Sequence, residues 1–187
     1  MATKETTTRD LFVEYGGNLP EAIKKACNDG TAFLADSNIF TCRSLSTATT
    51  IELFQASDKI KDGICNFNDR KLDTGNYMLL LGMRLQTAVV DDVTDENIAK
   101  ADYTVKLDSA VANGDLELRV ASKVVIPRTS CQVFTSTTPA SLLKGYYALE
   151  CPYMIAPDAQ IVPTLRLGTT ATDKTVVRFE LHGARLI

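Results

Sequence analysis

TVVRFELHGARLI, residues 175–187, alternates Val177, Phe179 and Leu181 against Val176, Arg178, Glu180 and His182. A side-chain period of two sends one set into a core and leaves the other on the opposite face of a β-strand. The stretch also carries the only histidine of the chain. By alternation His182 shares a polar face with Arg178 and Glu180, and an outward histidine flanked by charges is usually a solvated or interface residue. Leu186 and Ile187 then end the sequence on apolar side chains. An end of that kind is expected to be tied down.

Upstream the same grammar recurs. Short runs rich in Val, Ile, Thr, Tyr and Phe are separated by Gly, Asn, Asp and Pro at intervals of about ten residues, the pattern of an all-β sandwich. In YMLLLGMRLQTAVV, 77–90, Tyr77, Leu79, Leu81, Met83 and Leu85 are expected on one face, with Met78 and Leu80 on the other until Gly82, Arg84 and Gln86 turn it polar. A strand apolar on both sides belongs near the middle of a sheet. DYTVKLD, 102–108, and LELRVASKVVI, 116–126, flank an Asn113-Gly114 turn dipeptide, which predicts an antiparallel pair with one wet face. TTIELFQASD, 49–58, fits a strand or a helix face, and the strand is preferred because Asp58, Asp62, Gly63, Asn66 and Asn68 soon interrupt any helix. Pro152, Pro157 and Pro163 punctuate 145–168, and since proline cannot donate to a ladder, edge strands or strand starts are expected there.

The first third differs. Residues 1–12 begin with a polar, Thr-rich segment and read as a flexible arm, followed by one domain over 13–187. Asn18 near a cap, Pro20 in a first turn and Gly30 as a stop predict one short helix over about 20–28. The fold class expected is therefore mainly β: a single-domain antiparallel β-sandwich, jelly-roll-like, with one short N-terminal helix.

Composition narrows the functions. The 187 residues have 45% hydrophobic content, enough for one core, and 20 basic against 23 acidic residues give a net charge of -3. No field of one sign points to nucleic acid or an anionic membrane, so neither partner is expected. The longest apolar run, YMLLLGM, is far below the roughly 20 residues of a membrane helix, and no apolar leader opens the chain, so a soluble protein made in the cytosol is expected. Cys27, Cys42, Cys65, Cys131 and Cys151 are odd in number and lack close pairs, which suits reduced core thiols better than disulfides or a zinc site.

Candidate chemistry is sparse. Asp91, Asp92, Asp95 and Glu96 gather in DDVTDE, a cluster for a hard cation, but without the alternating form of a calcium loop, so a solvated acidic loop is the better reading. Tyr146, Tyr147 and Tyr153 could form a stacking platform, with core or interface packing favoured. Nucleophile elbows, phosphate loops and zinc-protease motifs are missing from the sequence. No catalytic, metal or cofactor residue is therefore assigned. Arg84, Arg119, Arg166, Arg178 and Arg185 alternate outward and, with His182, Leu186 and Ile187, are the candidate interface residues, because arginine tolerates partial burial better than lysine.

YMLLLGMRLQTA, the hairpin-like LELRVASKVVIPRTS, GYYALECPYMIAPDAQIVPTLRLG and VVRFELHGARLI together make the chain resemble, over residues 30–187, the single-domain β-sandwich or jelly-roll subunits of viral and phage particles. The resemblance implies a non-enzymatic structural protein, of capsid or head-decoration type. Such a subunit forms a homo-oligomer, meets other particle proteins and resides in a virion assembled in the host cytoplasm. Two other classes compete. A carbohydrate- or peptide-binding sandwich would gather Tyr146, Tyr147, Asp91 and Asp92 at one end of the sheets, and a hydrolase would use His182 or a carboxylate pair in a cleft.

Overall fold

A computed structural model describes residues 7–17, 19–45, 47–135 and 144–186. Among the described residues eight strands form two four-stranded antiparallel sheets. In chain order they are β1 (Leu34–Ser44), β2 (Thr50–Glu52), β3 (Met78–Val89), β4 (Asp115–Val120), β5 (Lys123–Ser130), β6 (Tyr146–Ile155), β7 (Ile161–Arg166) and β8 (Thr175–Leu186). The first sheet has the order β1-β8-β3-β6 and the second β2-β7-β4-β5. β1 pairs with β8, β2 with β7, β3 with β6 and β4 with β5. The strands are thus nested as one long hairpin, with β4–β5 as its innermost turn, and every other connection passes from one sheet to the other. This is the mainly-β antiparallel sandwich that the sequence pattern predicts.

Inner faces of both sheets meet in one core. Ile39, Met78, Leu80, Met83, Leu85, Val177, Phe179 and Leu181 from the first sheet pack on Ile51, Leu116, Leu118, Val120, Ile126, Ile161 and Leu165 from the second. Phe54 and Phe179 lie 5.5 Å apart at its centre, and Phe54 and Phe67 4.4 Å apart.

β3 lies between β8 and β6, as expected, but its faces differ from simple alternation. Leu80 pairs with Gly183 and Gly82 with His182, which leaves Leu81 as an extra residue on β3. This bulge reverses the faces along the strand. Met78 and Leu80 point to the main core before it, and Met83 and Leu85 after it, while Leu79 joins a separate outer cluster. Alternation read straight through the bulge misplaces Leu79 and Leu81.

Helices cover the outer face of the first sheet at both ends. α1 (Thr8–Glu14) has a capping box in which the Thr7 side chain and Asp10 satisfy each other's backbone N–H groups. α2 (Glu21–Asn28) fulfils the expected 20–28 helix with Pro20 at its N-cap, while Asn18 lies outside the described residues. Phe12, Leu19 and Cys27 from this pair pack on Leu79. Of the arm expected over 1–12, residues 8–12 lie in α1, where the Phe12 side chain is fully buried in an apolar seat. Residues 1–6 lie outside the described residues.

At the other end, α3 (Asp95–Lys100) places Ile98 on Cys42, Ala88, Val90 and Val176. Thr94 caps it, and Asp95 and Glu96 occupy its first turn, where acidic groups oppose the helix dipole. A short α4 (Ser109–Ala112) and a 3-10 turn over Cys131–Thr135 complete the helical elements among the described residues, more than the one helix expected.

Three further expectations change. Residues 102–108 form no strand beyond a single bridge from Thr104 to Thr87, and Asn113 caps α4, so β4 pairs with β5 across a turn in which Ala121 has φ +53°. TTIELFQASD contributes only the three residues of β2. Pro152 lies on the edge strand β6, but Pro163 lies in β7, inside the second sheet. An inner position is tolerated because β2 stops at Glu52, beside it.

Candidate functional site

Between its two helical caps, the outer face of the first sheet carries a polar belt. Glu180 of β8 is at its centre with a side chain only 5% exposed. Arg178 Nε donates to Glu180 Oε1 at 2.5 Å, Arg84 Nη1 of β3 stands 3.8 Å from Oε2, and His182 Nε2 lies 2.8 Å from Oε2. Strand alternation puts 178, 180 and 182 on one face at successive pleats, and the register of β3 sets Arg84 directly opposite Glu180. The guanidinium of Arg178 also covers the Phe40 ring at 4.0 Å. Burial raises the carboxyl pKa of Glu180, but the hydrogen bonds from His182 and Arg178 and their charges outweigh it and hold the group down at about 2.

An ionised carboxylate can only accept, so Nε2 is the protonated nitrogen of His182. In the neutral ring, Nδ1 is then a lone-pair acceptor. Tyr146 of β6 meets the imidazole edge-on, with ring centroids 5.6 Å apart. His182 is thus neither solvated nor loosely held; it is a half-buried ring clamped by Glu180.

Beside it lies a cleft of about 400 Å³, open to solvent and lined by Asp36, Ser37, Asn38, Leu81, Tyr146, His182 and Gly183. Every strand of the first sheet contributes to it. Two glycines make the geometry available. A Cβ on Gly82 would lie 2.2 Å from the Tyr146 ring, and one on Gly183 would lie 2.0 Å from the carbonyl oxygen of Leu79, two residues before the bulge. The tyrosine crosses the sheet over the first glycine, and the bulged strand closes on the second.

The outer face of the second sheet repeats the motif in smaller form. Glu117 of β4 is buried, with Oε1 2.9 Å from Arg119 Nε and 3.6 Å from Arg166 Nη2. The hydrogen bond from Arg119 is the largest influence on Glu117 and lowers its pKa. The expected interface arginines therefore separate into Arg84 with Arg178, Arg119 with Arg166, and Arg185, which stands 4.0 Å from Asp73. Leu186 packs at the margin of the α1–α2 cluster, and Ile187 lies outside the described residues. The sequence signal for both glutamates is an Arg two positions away on the same strand, in RFE and ELR. Neither glutamate was singled out from the sequence, because spacing does not reveal burial.

The tyrosine platform does not form. Tyr146 faces outward, Tyr147 turns inward to Phe134 at 6.0 Å, and Tyr153 lines a different groove with Tyr15 and Tyr77. Asp91 and Asp92 precede α3 and do not line the cleft of Tyr146. Within DDVTDE, Asp95 pairs with Lys61, and Glu96 with Lys100 at 2.6 Å. Among the described residues no three His, Cys, Asp or Glu side chains are grouped to hold a metal ion. Cys27, Cys42, Cys65 and Cys131 are buried and Cys151 is exposed, all as free thiols. Among the described residues no helix is long and apolar enough to cross a membrane.

Neither a protein-family profile nor a curated protein matches the chain. Among solved structures, a chain of the "Cyanophage Pam1 capsid asymmetric unit" is similar over 83% of this chain and 86% of its own length, with 11% identity and a TM-score of 0.36.

Proposed function

We propose that the chain is a non-enzymatic structural protein, a jelly roll that self-assembles as a subunit of a viral or phage particle. The observation that carries this reading is the nested strand order, β1-β8-β3-β6 against β2-β7-β4-β5. Two sheets rolled up from one long hairpin are the architecture of jelly rolls, a class that includes capsid domains. That support is by fold analogy, since a fold hosts more than one function. The partners are further copies of the chain and other particle proteins, and its place is the virion, assembled in the host cytoplasm.

The surface supports assembly on independent grounds. Arg84, Arg119, Arg166 and Arg178 are held in fixed directions by buried glutamates, which lowers the entropy lost when a partner binds them. His182, Leu186 and Ile187 complete the proposed contact set. The test is native mass at micromolar concentration by light scattering and native mass spectrometry. Defined oligomers, weakened by the double substitution Arg119→Ala with Arg166→Ala, are expected. A strict monomer that binds no other particle component overturns the proposal.

A further inference from the structure

We infer that the cleft on the outer face of the first sheet is a binding site for a neutral sugar in its ring form. This inference goes beyond assembly and does not depend on it, and it gives His182 a role as a ligand-binding residue. Three observations carry it.

The first is an array of unused polar groups. Among the described residues, the Asp36 carboxylate, the Asn38 carboxamide and the Tyr146 hydroxyl have no hydrogen-bond partner. Asn38 is the β1 residue opposite His182, and Asp36 is two residues away on the same face. With Nε2 of His182 committed to Glu180, Nδ1 is the ring nitrogen left for a ligand, an acceptor in the neutral ring and a donor in the charged one. Sugar hydroxyls both donate and accept. A carboxylate, an amide, a phenol and an imidazole nitrogen side by side can meet both capacities, and about 400 Å³ falls within the range of small-molecule sites.

The second is charge. Asp36 and Glu180 are opposed by Arg84 and Arg178 on the same face. An anion would meet Asp36 at the cleft wall, and a cation would meet the two guanidiniums behind Glu180. A neutral ligand meets neither penalty. The Tyr146 ring supplies an apolar surface for the C–H face of a pyranose, and Leu81 an apolar wall.

The third is rigidity. Glu180 clamps His182, Gly82 seats Tyr146, and the Leu81 bulge is fixed by the close approach of Gly183 to Leu79. The groups stand on strands whose positions are fixed by the sheet, and preorganisation of this kind lowers the cost of binding.

The test is titration of the full chain, by calorimetry and saturation-transfer NMR, with D-glucose, D-galactose, D-mannose and N-acetyl-D-glucosamine, with glucose 6-phosphate as the anionic comparison. At least one neutral sugar is expected to saturate with a Kd on the order of 1 mM. Asp36→Asn and Tyr146→Phe, both at surface positions that leave the core intact, are each expected to weaken it about tenfold. Asp173→Asn, in the exposed turn before β8, is expected to leave it unchanged. Lack of saturation with all four neutral sugars overturns the inference. So does tighter binding of glucose 6-phosphate than of any neutral sugar, or binding that both cleft variants retain. Light scattering on the same samples reports assembly separately, so failure of one proposal is distinguishable from failure of the other.

Discussion

Arg43 Nε donates to the carbonyl oxygen of Leu53 at 3.1 Å, where a backbone N–H from Pro163 would stand if residue 163 were not proline. Leu53 N donates to the Pro163 oxygen at 2.8 Å, so the two residues form one half of a hydrogen-bonded antiparallel pair. The other half needs an N–H that proline lacks. The arginine supplies it from β1, and its Nη2 reaches Asp58 Oδ1 at 2.5 Å. One side chain thereby allows a proline inside the second sheet and ties that sheet to the first.

Replacing Arg43 by Met should lower stability by about 3 kcal/mol, because it strands both the Leu53 carbonyl and the largely buried Asp58. Adding Pro163→Val to Arg43→Met restores a backbone donor and should recover about 1 kcal/mol. Urea midpoints of the two single variants and the double variant measure the coupling. Purely additive midpoints would show that the two residues do not share this acceptor.

Stability should depend on acid through Glu180. Its folded pKa of about 2 lies below the ordinary glutamate value of 4.5, so its ionised form adds stability that is fully present above about pH 4.5 and is lost as pH falls toward 2. Glu180→Gln removes that contribution, of at most about 3 kcal/mol. The gap in unfolding free energy between wild type and variant should therefore narrow between about pH 6 and about pH 3. A gap that does not change with pH would contradict the pairing.

Gly183→Ala should cost about 3 kcal/mol, since its Cβ meets the backbone oxygen of Leu79 and the β3 bulge cannot yield without moving β8. Gly82→Ala should cost less, because the Tyr146 ring can swing outward, and the marker of that motion is loss of the His182–Tyr146 contact in NMR. Equal thermal shifts for the two variants would argue against the bulge as the rigid feature.

A thiol reagent should modify Cys151 first and alone in the folded protein. Burial raises the pKa of Cys27, Cys42 and Cys65 and pushes Cys131 up to about 12. Mass spectrometry after brief labelling should find one adduct, with the remaining thiols reacting on unfolding. Early labelling at Cys131 would contradict the packing of the 3-10 turn.

Removal of residues 184–187 should destabilise the fold. Ala184, Arg185 and Leu186 pair with Asp36, Ala35 and Leu34 on one side, and Ala184 and Arg185 with Leu79 and Met78 on the other. A truncated chain that melts at the temperature of the full one would show the end of β8 to be dispensable.

What the sequence determined by itself was local. Alternation in VVRFELHG placed Val177, Phe179 and Leu181 inward and Arg178, Glu180 and His182 outward. The apolar density of 77–90 marked a central strand, and LELRVASKVVIPRTS contained a hairpin. These readings succeed because a period of two is a property of neighbouring residues in one chain. Tertiary structure decided the rest. The bulge at Leu81 arises where β3 meets Gly183 across a strand boundary, and no local spacing announces it. Phe12 orders α1 because Leu79, far along the chain, offers it a dry seat. Pro163 lies inside a sheet because Arg43 brings a donor from the other one. His182 followed the same division: strand alternation set its face, but its clamp by Glu180 and its place beside Asp36, Asn38 and Tyr146 depend on strand order, which brings together residues more than a hundred positions apart.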